Sequence, residues 1–131
     1  MAVSFGAHRL LENAQRDPTI LREGLELRDI RRAVEHIEGT YIIRLFAEFE
    51  TGLRSFLTAL RGHPVRIRVE HLIDSVATKR RIPYDLIAGA HAAREYRNTL
   101  VHEREEAVEP IAIRTIRSFL CSYFDRLPED W

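Results

Sequence analysis

Apolar residues recur at steps of three and four along most of the chain, which is the spacing of an amphipathic α-helix. The clearest run lies between residues 41 and 61, and Gly62 and Pro64 follow it as helix-ending residues. Its apolar positions are Ile42, Leu45, Phe46, Phe49, Leu53, Phe56, Leu57 and Leu60. No stretch alternates apolar and polar residues as a half-buried strand does. The pattern therefore predicts an all-α protein.

Four further helical segments flank this run. Asp17-Pro18 is typical of a helix start and opens a segment over about 18–37, with a break or kink predicted at 38–40. A shorter helix is predicted over 68–80, and Pro83 begins a long helix to about 102. Glu109-Pro110 is predicted to begin the last helix, which carries apolar residues as far as Leu127. We expect an antiparallel bundle of four to five helices.

The length of 131 residues suits one domain. Residues 1–17 could form a short N-terminal extension of that domain. Acidic and basic residues cancel at 20 each, so a nucleic-acid role would need a local basic patch. A single cysteine, Cys121, excludes an intrachain disulfide and favours a reducing compartment. The sequence contains neither a signal peptide nor an apolar run long enough to span a membrane. These features predict a cytoplasmic protein with no membrane partner.

One short stretch, REYRNTLVHE at 95–104, concentrates candidate chemistry: Arg97, Asn98 and His102 lie within six positions near the end of a predicted helix. Asn98 and His102 share a helix face, but Arg97 lies about 140° around a regular helix from His102. The two could converge if the helix unwinds near Val101. They could also converge across a two-fold axis that brings two helix ends together.

These three residue types suit phosphodiester chemistry without a metal. A histidine gives or takes a proton near neutral pH, and an arginine holds a phosphate and stabilises its developing charge. Together they suit attack of an RNA 2′-hydroxyl on its neighbouring phosphate. The chain has no glycine-rich phosphate loop, no CxxC and no paired-histidine zinc motif, so neither cofactor nor metal is predicted. The alternative is a helix C-terminus whose cations merely complement the helix dipole.

The stretch RNTLVH at 97–102 resembles the signature of the HEPN superfamily, in which an arginine and a polar residue precede a histidine. A second resemblance is the amphipathic helix at 41–57, with its pattern Phe46-Ala47-Glu48-Phe49-Glu50. The order of helices also fits, and the resemblance covers about residues 25–127. HEPN domains are small all-α domains found in toxin–antitoxin pairs, phage-defence systems and RNA-guided ribonucleases.

The resemblance implies a metal-independent endoribonuclease that acts on RNA as a homodimer, with both signatures at the interface. Carried over by position, Arg97 and His102 are catalytic with Asn98 beside them, and Glu48 or Glu50 orients the arginine. Some members carry a tyrosine two residues after the histidine, which a nucleotidyltransferase partner modifies. This chain has Arg104 there, which favours another kind of cognate antitoxin.

Two further arginines are predicted to contact RNA, and two alternative functions stay open. Arg94 and Arg104 are predicted to add positive charge for the RNA backbone, although Glu103, Glu105 and Glu106 crowd the same region. Because some HEPN domains are catalytically inactive, one alternative is a dimerisation or adaptor module. The other is a nucleotide-binding module that holds a phosphate with Arg97 and does no chemistry.

Overall fold

The computed structural model describes residues 27–102 and 110–131. Two compact units divide the chain, Met1–Tyr41 and Ile42–Trp131. The described residues form four helices and no strand: α1 (Leu27–Arg61), α2 (Val69–Arg80), α3 (Tyr84–His102) and α4 (Ile113–Phe124). The all-α prediction is confirmed for this part of the chain. The single-domain assignment stays a prediction, and the segment predicted over 18–26 lies outside the described residues.

The helix does not break at 38–40 as the sequence suggested, because α1 continues through these residues to Arg61. A glycine inside a helix costs only about 1 kcal/mol relative to alanine, which flanking turns can offset. The Thr40 hydroxyl donates a hydrogen bond to the His36 carbonyl at 2.9 Å, so this side chain bonds the helix backbone locally. The predicted end is confirmed, since Gly62 takes a positive φ of 76° just after the last helical residue.

Two of the three later helices begin where the sequence predicted. α2 and α3 match their predicted ranges within one residue at each end. The last helix begins at Ile113 rather than at Glu109-Pro110, and Ala112 before it is extended. Ile111 and Ile113 both pack against the core, Ile111 from the non-helical segment that precedes α4.

All four helices contribute to one core within Ile42–Trp131. Its largest fully buried side chains are Tyr123, Phe46, Ile42, Leu53, Leu57, Leu72, Ile73, Ile116 and Val76. Leu60 belongs to the apolar pattern of the first run but is 54% exposed, and the apolar Val101 is 43% exposed. Both lie in the last turn of a helix. In the other unit, Ile30 and Val34 are buried.

Polar contacts show that α2 and α3 run antiparallel. Asp74 of α2 contacts His91 of α3, and Glu70, one turn earlier on α2, contacts Arg94, one turn later on α3. The connection between them is only three residues long, which suits antiparallel neighbours. Among the described helices, none is both long and apolar enough to cross a membrane.

Candidate active site

Arg97 is the signature residue with the most unusual surroundings. Its guanidinium carbon lies 4.7 Å from the centroid of the Phe46 ring, on α1. A cation over an aromatic face is attracted by the negative face of the ring. The Nε atom is buried and has no hydrogen-bond partner, and no carboxylate of the described residues forms an ion pair with Arg97. The arginine is therefore held by an aromatic ring and leaves hydrogen-bonding capacity unused.

His102 and Asn98 lie on the same face of α3 but differ in burial. His102 is the last residue of the helix and is exposed, whereas Asn98 is half-buried. The helix stays regular through Val101, so the unwinding that could bring Arg97 to His102 does not occur. Arg97 points to Phe46 while His102 points to solvent, about 140° apart on a regular helix. Within one protomer the two side chains do not converge.

The two candidate supporting carboxylates lie elsewhere. Glu50 pairs with Arg54 one turn along α1, with Oε1 and Nη2 3.7 Å apart. Glu48 is exposed and lines an apolar cavity of about 250 Å³ between α1 and α4. The contacts of the described residues bring neither carboxylate to Arg97. Phe46 is the residue that sequence reasoning missed, although it belongs to the aromatic pattern of the same helix.

Arg94, the candidate RNA-backbone residue, is engaged with neighbouring side chains. Its guanidinium lies 3.9 Å from Glu70 and 3.7 Å from Glu95, and its side chain is only 16% exposed. Its Nε–H donates to Nδ1 of His91, which leaves the His91 Nε2–H to donate to Asp74 at 2.8 Å. The polar stripe along α3 thus joins α3 to α2. Arg104, the other candidate, lies outside the described residues.

Metal-ligating side chains are not grouped in the part of the chain that the structure describes. No set of three or more His, Cys, Asp or Glu residues is close enough there to hold an ion.

Comparison with known proteins gives no match of any kind. A scan against family models and searches of curated proteins and of solved structures all return nothing. The HEPN resemblance consequently rests on the residues quoted above and on the order of the helices, and it remains a hypothesis.

Proposed function

We propose that this chain is a metal-independent endoribonuclease of the HEPN type that acts as a homodimer, as a toxin or defence effector. The observation that carries the proposal is Arg97. It is a half-buried cation with an unpartnered Nε and no ion-pair partner among the described residues, on the helix that ends at an exposed histidine. Charges away from bulk water are normally paired. The Nε itself is enclosed, so an anionic ligand would bind the terminal guanidinium nitrogens, which form no ion pair with the described residues.

The reaction would proceed by intramolecular attack. A base removes the proton of the RNA 2′-hydroxyl, the oxygen attacks the adjacent phosphorus, and the bond to the 5′-oxygen breaks. An acid protonates the leaving oxygen, which gives a 2′,3′-cyclic phosphate and a 5′-hydroxyl. His102 would exchange the protons, Arg97 would stabilise charge on the phosphate oxygens, and Asn98 would orient the reacting hydroxyl or the imidazole.

The placement of the side chains supports a dimeric site over a site within one protomer. Arg97 and His102 lie on different sides of α3, so one chain does not bring them to the same phosphate. A two-fold axis at the end of α3 would bring the arginine of one copy toward the histidine of the other. It would also supply two histidines, one as base and one as acid. The exposed apolar side chain of Val101, beside His102, suits such an interface.

The same exposed valine supports a second candidate, a dimerisation or adaptor module without activity. In that case Arg97 contributes to packing against Phe46 and His102 is a solvent-facing helix end. The two candidates differ in what the signature does for the dimer. Replacing both Arg97 and His102 by alanine abolishes cleavage under the first, whereas it weakens the dimer with no activity to lose under the second.

The test is incubation of the purified protein with mixed-sequence RNA in EDTA, beside His102→Ala and the matched control His36→Ala. His36 is another exposed histidine. We expect the wild type and the control to cut and leave cyclic phosphate ends, and His102→Ala to lose at least about 100-fold in rate. Equal cutting by His102→Ala would exclude the proposed role. A folded dimer that cuts no RNA would favour the adaptor.

A further inference from the structure

Trp131, the only tryptophan of the chain, is held in place yet leaves much of its ring exposed. Its indole Nε1–H donates to the Ser55 hydroxyl at 3.0 Å. Its ring packs edge-on against Phe56 and Phe124, with centroid distances of 5.6 and 6.2 Å. Even so, the residue is 46% exposed. Three contacts thus fix an aromatic ring that presents surface to solvent.

A groove of about 710 Å³ lies beside this ring. It is lined by Thr51, Arg54, Ser55, Thr58, Ala59 and Trp131, which we call the Trp131 groove. Apart from Trp131, its walls are small or polar side chains of α1. An aromatic ring next to hydroxyl groups suits a flat ligand that stacks on one side and forms hydrogen bonds at its edge.

The groove lies next to the most basic stretch of the chain. Between Thr51 and Val69 the sequence has four arginines and no acidic residue, although the chain as a whole is neutral. Those arginines are Arg54, Arg61, Arg66 and Arg68. Arg61, Arg66 and Arg68 are exposed, so this basic stretch presents positive charge on an otherwise neutral chain.

Hydrogen bonds from groove residues hold part of this basic stretch beside the Trp131 groove. Arg54 donates from Nη1 to the carbonyls of Val65 and Ile67, both at 3.0 Å. The Val65 N–H donates to the Thr58 hydroxyl at 3.3 Å. Two groove residues therefore hold the segment 65–67 against α1.

The same segment directs its arginines outward. Val65 is buried and Ile67 half-buried, while Arg66 and Arg68 between and after them are exposed. No acidic side chain of the described residues pairs with Arg61, Arg66 or Arg68. Arg54 is different, since it already contacts Glu50 and two carbonyls. Arg54 therefore attaches the segment to α1, and Arg61, Arg66 and Arg68 are the cations that remain available to bind an anion.

We propose that the Trp131 groove binds single-stranded RNA, with a base stacked on Trp131 and the backbone phosphates on Arg66 and Arg68. Base–aromatic stacking beside a positive surface is how proteins hold single strands without reading sequence. Glu129 and Asp130 precede Trp131 and disfavour phosphate beside the ring, so we expect the backbone to follow the arginines instead. An anionic membrane would also be attracted by the arginines, but a membrane makes no use of a polar-walled groove.

The proposal rests on the proposed ribonuclease function for its choice of RNA, yet binding is measured without cleavage. The probe is a mixed-sequence 2′-O-methyl RNA strand of about 12 nucleotides, within the range of single-strand site sizes. Methylation blocks the attacking hydroxyl, so the strand binds and is not cut. We expect it to quench the fluorescence of Trp131, which is the sole tryptophan, and the duplex of the same sequence to leave the fluorescence unchanged.

Two variants test the two halves of the groove by anisotropy of the labelled strand. Trp131→Ala should weaken binding roughly 5- to 150-fold. Arg66→Ala/Arg68→Ala keeps Trp131 and should reduce the slope of log affinity against log salt by about 1.4, for two lost phosphate contacts. Arg31→Ala/Arg32→Ala removes the same charge from exposed positions of α1 and should leave the slope unchanged.

Several results would overturn the proposal. They are the absence of quenching, equal quenching by duplex, unchanged affinity of both groove variants, and a Trp131 response to phosphatidylserine vesicles alone. The outcome is separable from that of the ribonuclease test. Strand binding at the groove together with full cleavage by His102→Ala would reject the proposed active site and leave the groove assignment intact.

Discussion

Two polar side chains meet neighbouring phenylalanines of α1, and only one of them has its hydrogen bonds satisfied. The rings of Phe46 and Phe49 lie 5.6 Å apart. Tyr123 packs edge-on against Phe49 at 5.4 Å, and its hydroxyl donates to the Ile73 carbonyl of α2. Arg97 lies over Phe46, and its buried Nε has no acceptor in the described part of the chain.

The difference separates a structural group from a candidate functional group. A buried polar atom with a partner contributes modestly to stability, whereas one without a partner costs about 1–3 kcal/mol. Tyr123 joins α4 to α2 and so contributes to the fold. The buried Nε of Arg97 makes no comparable hydrogen bond that would stabilise the fold. Local violations of this kind are expected where function requires them.

The largest effect should come from Arg97→Met, which keeps a long side chain over Phe46 and removes the charge and the unpartnered Nε. We expect RNA cleavage to fall at least about 100-fold, because a group that stabilises transition-state charge typically contributes that much. The free energy of unfolding should stay within about 1 kcal/mol or rise, since the lost cation–π attraction is offset by removal of the unsatisfied atom. Cleavage assays and urea unfolding measure both.

Arg114→Met is the matched control for this change, because Arg114 is an exposed arginine of α4. It should change neither cleavage nor stability. A large loss of stability in Arg97→Met, with cleavage retained, would show that Arg97 stabilises the fold and does not take part in the reaction.

Tyr123→Phe tests how much the satisfied hydrogen bond of the Tyr123 hydroxyl contributes to stability. It removes one hydroxyl from a fully buried ring without changing the packing, so the free energy of unfolding should fall by about 1 kcal/mol. Tyr84→Phe, at a residue that is 84% exposed, should change it by less than about 0.5 kcal/mol. Equal effects of the two substitutions in urea unfolding would show that the bond to the Ile73 carbonyl contributes nothing.

Alkaline pH provides a second test of Tyr123. Burial, and secondarily the nearby charge of Asp74, raise the pKa of its phenol above the usual value. The unfolded chain therefore loses this proton first, near pH 10. The contribution to stability is complete below that pH and declines as pH rises toward the higher folded-state pKa.

The expected loss between pH 10 and 11 is about 1 kcal/mol from this residue alone. Unfolding measured at both pH values should show a smaller decline in Tyr123→Phe, which has no phenol there to ionise. The same decline in both proteins would assign the alkaline sensitivity to other groups.

Sequence patterns predicted the helices because helix periodicity and helix ends are local properties. Gly62 ends α1, and Pro83 directly precedes the first residue of α3. One error comes from long-range packing, because Ile111 packs against the core outside a helix, and this contact cannot be read from residues close in sequence. The other error is local, because the turn at Gly39 stays helical although glycine weakens it.

The candidate site divides in the same way. Spacing alone placed Arg97 and His102 on different sides of one helix, and the regular α3 agrees. Spacing did not give the partner of Arg97, because Phe46 lies 51 positions earlier on another helix. The carboxylates singled out in that helix, Glu48 and Glu50, have neighbours that only the packing decides.

Arg94 extends the comparison to a second arginine of α3 and gives the smallest expected effect. Glu70 and Glu95 already offset its charge, and its Nε–H donates to His91. Arg94→Gln should therefore reduce RNA cleavage less than about tenfold and stability by a few tenths of a kcal/mol, as is usual for partly exposed ion pairs. Arg97→Met, assayed beside it, should lose far more activity. If the two substitutions reduced cleavage equally, net positive charge along α3 would matter more than the unpartnered state of Arg97. The unsatisfied hydrogen bonding of Arg97 would then not mark it as the active-site residue.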